Sequence, residues 1–171
     1  REYTLDAGAL LRIDTGDYPL IDAITLSGTT DLGLGLDEGF RVTGPLDAAR
    51  IASLFPAVAG TRFAGLIELD DADFVTAQHL MLTDSGRGLY VHGGSDSFSA
   101  SDVTVTGHVF QGISIDTSAP FSTLERLTAS GNGGWGIEVT GRILSLTDSV
   151  AFGNGGGGIR VQATASAIDR N

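Results

Sequence analysis

From Gly88 onward a short run of alternating apolar and polar residues returns at a near-constant interval. Gly88-Leu89-Tyr90-Val91, Gly112-Ile113-Ser114-Ile115, Gly136-Ile137-Glu138-Val139 and Gly158-Ile159-Arg160-Val161 are separated by 24, 24 and 22 residues. Leu66-Ile67-Glu68-Leu69 stands 22 residues before Gly88, and Gly39-Phe40-Arg41-Val42 stands 27 before Leu66. Alternation with period two puts Leu89 and Val91 on one face of a strand and Tyr90 and His92 on the other. A second column, Phe74, Phe98, Phe121 and Leu144, recurs at 24, 23 and 23. Its one-per-coil spacing predicts an internal ladder of stacked side chains. Further short runs follow in each interval, Val103-Thr104-Val105 and Val150-Ala151-Phe152 among them. Each repeat therefore reads as three short strands.

A period of this length belongs to stacked solenoids. Leucine-rich repeats share it but need an Asn or Cys within an LxxLxL frame, which is missing here. The expectation is an all-β parallel β-helix of about six to seven coils with a period of 22–24 residues, the coils stacked about 4.8 Å apart. Gly131-Asn132-Gly133-Gly134 and Gly153-Asn154-Gly155-Gly156, 22 residues apart, supply corners. Gly and Asn tolerate the left-handed backbone that a sharp corner demands, and stacked Asn amides can bond along the axis. Asp84 and His108 hold the equivalent earlier positions. Residues 1–171 read as one β-helix domain, with irregular first coils over 1–61 and regular coils over 62–171. In the first part, residues 18–28 read as strand, turn, strand, while 46–58 fits either a bulged coil or a short helical insert. At the other end, Gln162 to Asn171 are too few to finish the coil begun at Gly158, and no amphipathic stretch is left as a lid. The chain is therefore expected to be a fragment of a longer one, or to stack end to end with copies of itself.

At 171 residues the chain has the size of one domain. Ten arginines and no lysine stand against 21 acidic residues, for a net charge of −11. Such a surface repels phosphate backbones, so nucleic acid is not an expected partner. No apolar run is long enough for membrane insertion. Cysteine is absent, which removes disulfides, thiolate chemistry and Cys-based zinc sites. There is no Walker loop or GxSxG, and the histidines at 79, 92 and 108 have no helical metal spacing.

The segment Leu146-Thr147-Asp148-Ser149-Val150-Ala151-Phe152-Gly153-Asn154-Gly155, followed by Gly158-Ile159-Arg160-Val161, resembles coils of the right-handed parallel β-helix superfamily. That superfamily includes pectate lyases, the catalytic modules of mannuronan epimerases, and β-helix regions of large bacterial surface or secreted proteins. The resemblance covers about residues 62–171 and implies a right-handed coil. The epimerase Asp-Pro-His-Glu signature does not occur, nor do the lysine- and arginine-rich signatures of pectate lyases. The Asp that an RTX-type calcium nonapeptide requires is missing after Gly133-Gly134-Trp135-Gly136. The resemblance thus implies a structural or interaction module of a bacterial extracellular or cell-surface protein. Its partners would be neighbouring β-helix modules, copies of itself, or a polysaccharide. The competing implication is a lyase or epimerase that abstracts a proton beside the carboxyl of a uronate.

Candidate chemistry lies on the outward face of the glycine-led strand. Tyr90, Ser114, Glu138 and Arg160 form one column there, and His92, Asp116, Thr140 and Gln162 the next. Arg160 could neutralise a substrate carboxylate while His92 or Tyr90 moved the proton. The bland reading is a Glu138–Arg160 cross-strand ion pair and a solvated His92–Asp116 pair. Asp70, Asp71 and Asp73, with Glu68 nearby, could hold calcium, the one cofactor expected, or form a solvated acidic turn. Trp135, beside the glycine-rich corner, is expected to be partly exposed.

Overall fold

In a computed structural model of the chain, the described residues are 66–70, 72, 75–83, 86–95, 97–116, 122–162 and 165–171, Ser166 by its backbone alone. Before them, four strands are described by their backbone: β1 (Leu10–Asp14), β2 (Ile24–Ser27), β3 (Asp31–Gly33) and β4 (Gly39–Thr43). Twelve strands follow: β5 (Ile67–Asp70), β6 (Val75–Thr83), β7 (Leu89–His92), β8 (Ser99–Thr106), β9 (Ile113–Asp116) and β10 (Thr123–Glu125), then β11 (Thr128–Ser130), β12 (Trp135–Val139), β13 (Ile143–Thr147), β14 (Val150–Phe152), β15 (Gly157–Val161) and β16 (Ala165–Asp169).

Every pairing is parallel and joins one coil to the next. The first sheet runs β1-β4-β5-β7-β9-β12-β15. Its register aligns Phe40, Ile67, Leu89, Ile113, Ile137 and Ile159, the glycine-led column read from the sequence. A nine-stranded sheet carries the remaining elements, with β6 and β8 each running through a corner that later coils break into β10 and β11, then β13 and β14. Some coils thus have three strands, and others two. From Leu66 onward the described residues form an all-β parallel solenoid of about four turns, with no helix among them. That is fewer than the six to seven coils expected. The extra coils were counted on the first 61 residues, where β1 and β4 extend the first sheet and β2 and β3 pair with β6. Residues 18–23 and 46–58, Phe74, Asp84 and Phe121 lie outside the described residues.

The three corners are built differently. From the second strand to the third the step is always five residues: Ser99 to Thr104, Thr123 to Thr128, Ser145 to Val150. One residue there takes a left-handed conformation in every coil: His79, Asp102, Arg126, Asp148 and Arg170, with φ of 53°, 55°, 50°, 52° and 51°. Each is a non-glycine residue, so each costs about 1–2 kcal/mol, offset by what packs around it. Behind them the buried Leu80, Val103 and Leu127 fill the interior. The third-to-first step is nine residues: Thr104 to Ile113, Thr128 to Ile137, Val150 to Ile159. Gly107, Gly131 and Gly153 take positive φ there, followed by His108, Asn132 and Asn154. In the coil of β6 that third-to-first step is eight, from Met81 to Leu89. The first-to-second step varies more. It is ten residues from Leu89 to Ser99 and from Ile113 to Thr123, but eight from Ile137 to Ser145. That difference accounts for the alternation between 24 and 22.

Two inward columns are apolar. Leu69, Val91, Ile115 and Val139 stack in one, and Leu82, Val105 and Ala129 in another, all buried. Full burial of each larger member contributes about 1.5–3 kcal/mol. Phe98 is buried as expected, but it does not stand in a phenylalanine ladder. The register aligns it with Val75 below and Ser122 above. The column alternates large and small, and the Phe98 N–H donates to Ser122 Oγ at 2.9 Å. Leu144, the last member of that expected column, is exposed.

Candidate functional site

The outward face of the first sheet is assembled by register alone. Glu68, Tyr90, Ser114, Glu138 and Arg160 align across β5, β7, β9, β12 and β15, and Asp70, His92 and Asp116 align beside them. Of the six residues expected on this face, Ser114 and Glu138 are buried. The partners of the six differ from expectation in one respect.

His92 does not pair with Asp116. Its Nε2 lies 2.8 Å from Glu68 Oε1 and its Nδ1 3.5 Å from Asp70 Oδ1, both in the coil before. Glu68 and Asp70 are 2% and 3% exposed. Burying two carboxylates is costly without counter-charge or donors, and the imidazole lies within reach of both. The Tyr90 ring stacks on His92 with centroids 4.3 Å apart and 19° between planes. Asp116, facing solvent, accepts instead from Thr140 Oγ1 at 2.8 Å. Burial raises the Tyr90 phenol above its ordinary value, opposed by the nearby Arg87 and reinforced by Asp116, Glu68 and Asp70. The shift favours the protonated phenol.

The second half of the face is held by residues at the corner. Arg87 lies over the Tyr90 ring at 4.7 Å and over Phe110 at 5.6 Å, and its Nε donates to Gln111 Oε1 at 3.0 Å. Gln111 Nε2 donates to Glu138 Oε2 at 2.8 Å, and Arg160 donates to Glu138 Oε1 at 3.0 Å. The expected Glu138–Arg160 pair is thus present, with Gln111 occupying the other carboxylate oxygen. Arg160 also lies over the Trp135 ring at 5.5 Å, and Trp135 is partly exposed, as expected. Gln111 and Arg87 escape a reading that looks only inside strands. The signal for them is position: Arg87, Gln111 and Trp135 each precede a strand-leading glycine at intervals of 24.

Of the acidic residues considered for calcium, Glu68 and Asp70 face His92, while Asp71 and Asp73 lie outside the described residues. Among the described residues no three acidic or imidazole side chains converge as a metal site.

A second polar column runs along the left-handed corner. Arg126 grips Asp102 with two bonds, Nε to Oδ1 at 2.7 Å and Nη2 to Oδ2 at 2.8 Å. Arg170 grips Asp148 in the same way, Nη2 to Oδ2 at 2.7 Å and Nε to Oδ1. His79 Nδ1 lies 3.9 Å from Asp102, and Glu125 and Asp169 flank the two arginines. The guanidinium bonds hold Asp102 and Asp148 below the ordinary carboxylate value and raise both arginines. Inside the opposite corner the expected amide ladder forms. His108 N–H donates to Asn132 Oδ1 at 3.1 Å, and Asn132 donates from N and Nδ2 to Asn154 Oδ1 at 3.0 and 2.9 Å.

No family model matches the chain, and neither does any curated protein or solved structure.

Proposed function

We propose that the chain is a structural and interaction module, a right-handed parallel β-helix of the pectate lyase-like superfamily from a bacterial extracellular or cell-surface protein. The observation that carries this reading is the mutual engagement of the outward face. His92 is directed at two carboxylates, Glu138 is occupied on both oxygens by Arg160 and Gln111, and Asp116 is bonded to Thr140. A proton-transfer site needs a group poised for substrate, and these are committed to one another. Neighbouring β-helix modules or copies of the same chain are the partners in this reading, with a polysaccharide as a further ligand. Exposed Val150 and Phe152 on β14 and Ile168 on β16 support association between modules.

The Tyr90–His92 stack beside buried carboxylates favours one alternative, a lyase or epimerase acting on an acidic polysaccharide. A glycan array combined with an assay for unsaturated uronate product separates the two. The module reading expects no turnover, with or without glycan binding. Product formation abolished by both Tyr90→Phe and His92→Ala, with the fold intact, would establish the enzyme instead.

A further inference from the structure

We infer that Asn154 is a site of spontaneous backbone modification and that the amide ladder shields Asn132 from the same reaction. Both asparagines precede glycine, Asn132-Gly133 and Asn154-Gly155. Glycine has no side chain to hinder attack by its own amide nitrogen on the preceding residue. In such a step the Gly155 nitrogen, its proton taken by solvent base, attacks Asn154 Cγ. A C–N bond forms, the Cγ–Nδ2 bond breaks, and ammonia leaves. Water then opens the resulting succinimide at either carbonyl, giving aspartate or isoaspartate.

The ladder opposes each part of this step. The Gly133 and Gly155 N–H groups, the nucleophiles, donate to His108 O and Asn132 O, both at 2.8 Å. Each side-chain amide, the electrophile, is held in place. Asn132 Oδ1 accepts from His108 while Nδ2 donates to Asn154, and Asn154 Oδ1 accepts twice from Asn132 while Nδ2 donates to Ala129 O at 3.1 Å. The two residues differ in burial. Asn132 is 1% exposed and clamped between His108 and Asn154, whereas Asn154 is half-buried and its ladder bonds run to the preceding coil. Local opening energies set the rates of such reactions, so Asn154 converts first.

The product would alter the fold where it forms. Either product loses the Nδ2 donor to Ala129 O and sets a carboxylate near that carbonyl. Isoaspartate also adds a methylene to the main chain and moves Gly155 away from Asn132 O.

The test follows the unaltered 171-residue protein at mildly alkaline pH, folded and in urea, with the two sites resolved by peptide mass spectrometry. In urea the two sites should convert at similar rates. In the folded protein Asn154 should convert at least about tenfold faster than Asn132, a difference of about 1.4 kcal/mol in opening. Equal rates in the folded protein, or Asn132 ahead, would overturn the inference. So would an Asn154 that stays intact when folded while the urea sample converts completely.

Discussion

Arg126 and Arg170 each lay a guanidinium across a carboxylate of the preceding coil, at a residue already forced into a left-handed turn. Those bonds keep Asp102 and Asp148 ionised at pH values where the unfolded chain would take up protons. Their contribution is therefore present above the ordinary Asp value of 3.8 and lost as pH falls through it towards the lower folded values. Urea midpoints recorded from about pH 5 down to about pH 2.5 should fall less steeply in Asp148→Asn than in the parent, and added salt should shrink the difference because the pairs are exposed. Identical acid limbs would show the corner ladder to be idle. At the interior, Phe98→Ala removes a fully buried ring, and Ser122 above and Val75 below cannot expand to fill the space. A loss of about 3–5 kcal/mol in urea denaturation is expected. A tolerant variant would mean the column collapses around the gap.

The strand-leading glycines are required by proximity rather than by handedness. A Cβ on Gly112 would sit 2.7 Å from Asn132 Nδ2 and 2.8 Å from Gly136 O. One is locked in the amide ladder and the other is backbone, so neither gives way easily. Gly112→Ala should destabilise by about 1–3 kcal/mol or more, as overpacking does, with the loss read as a lower urea midpoint at unchanged slope. This close approach is also why the first sheet could be read from the sequence. Glycine, an alternating pair of apolar residues and a fixed interval all mark one element, and its register follows residue by residue. The phenylalanine column had only one mark, and a slip of one residue turns a strand position to its other face. At the candidate site, aligned residues were legible because alignment is set by register. The direction His92 takes was not, since it depends on how deeply Glu68 and Asp70 are buried. The left-handed corner left a trace that is clear only in hindsight: His79, Asp102, Arg126, Asp148 and Arg170 recur at 22–24 and alternate in polarity from Asp102 on.

Taken whole, the molecule combines a strongly acidic chain with apolar side chains that face solvent on β14 and β16. Val150, Phe152 and Ile168 are 54%, 58% and 52% exposed, and Ile159 and Val161 are only partly covered. Association through these side chains would bring like charges together, so screening should favour it. Sedimentation is expected to show more self-association at high ionic strength than at low. A monomer at every salt concentration would count against copies of the chain as partners. The unequal corners have a practical consequence for anyone who wants to rebuild this chain. From the coil of β8 onward two of the three turns keep one length, held by stacked ion pairs or by the amide ladder, and lengthening either would break bonds to both neighbours. The turn after the first strand already occurs in three lengths, and in the coil of β12 it consists of Thr140, Gly141 and Arg142, with Thr140 and Arg142 exposed. It is the natural port for grafting: a foreign loop spliced in after Gly141 would project from the barrel while the rungs beneath it kept their spacing.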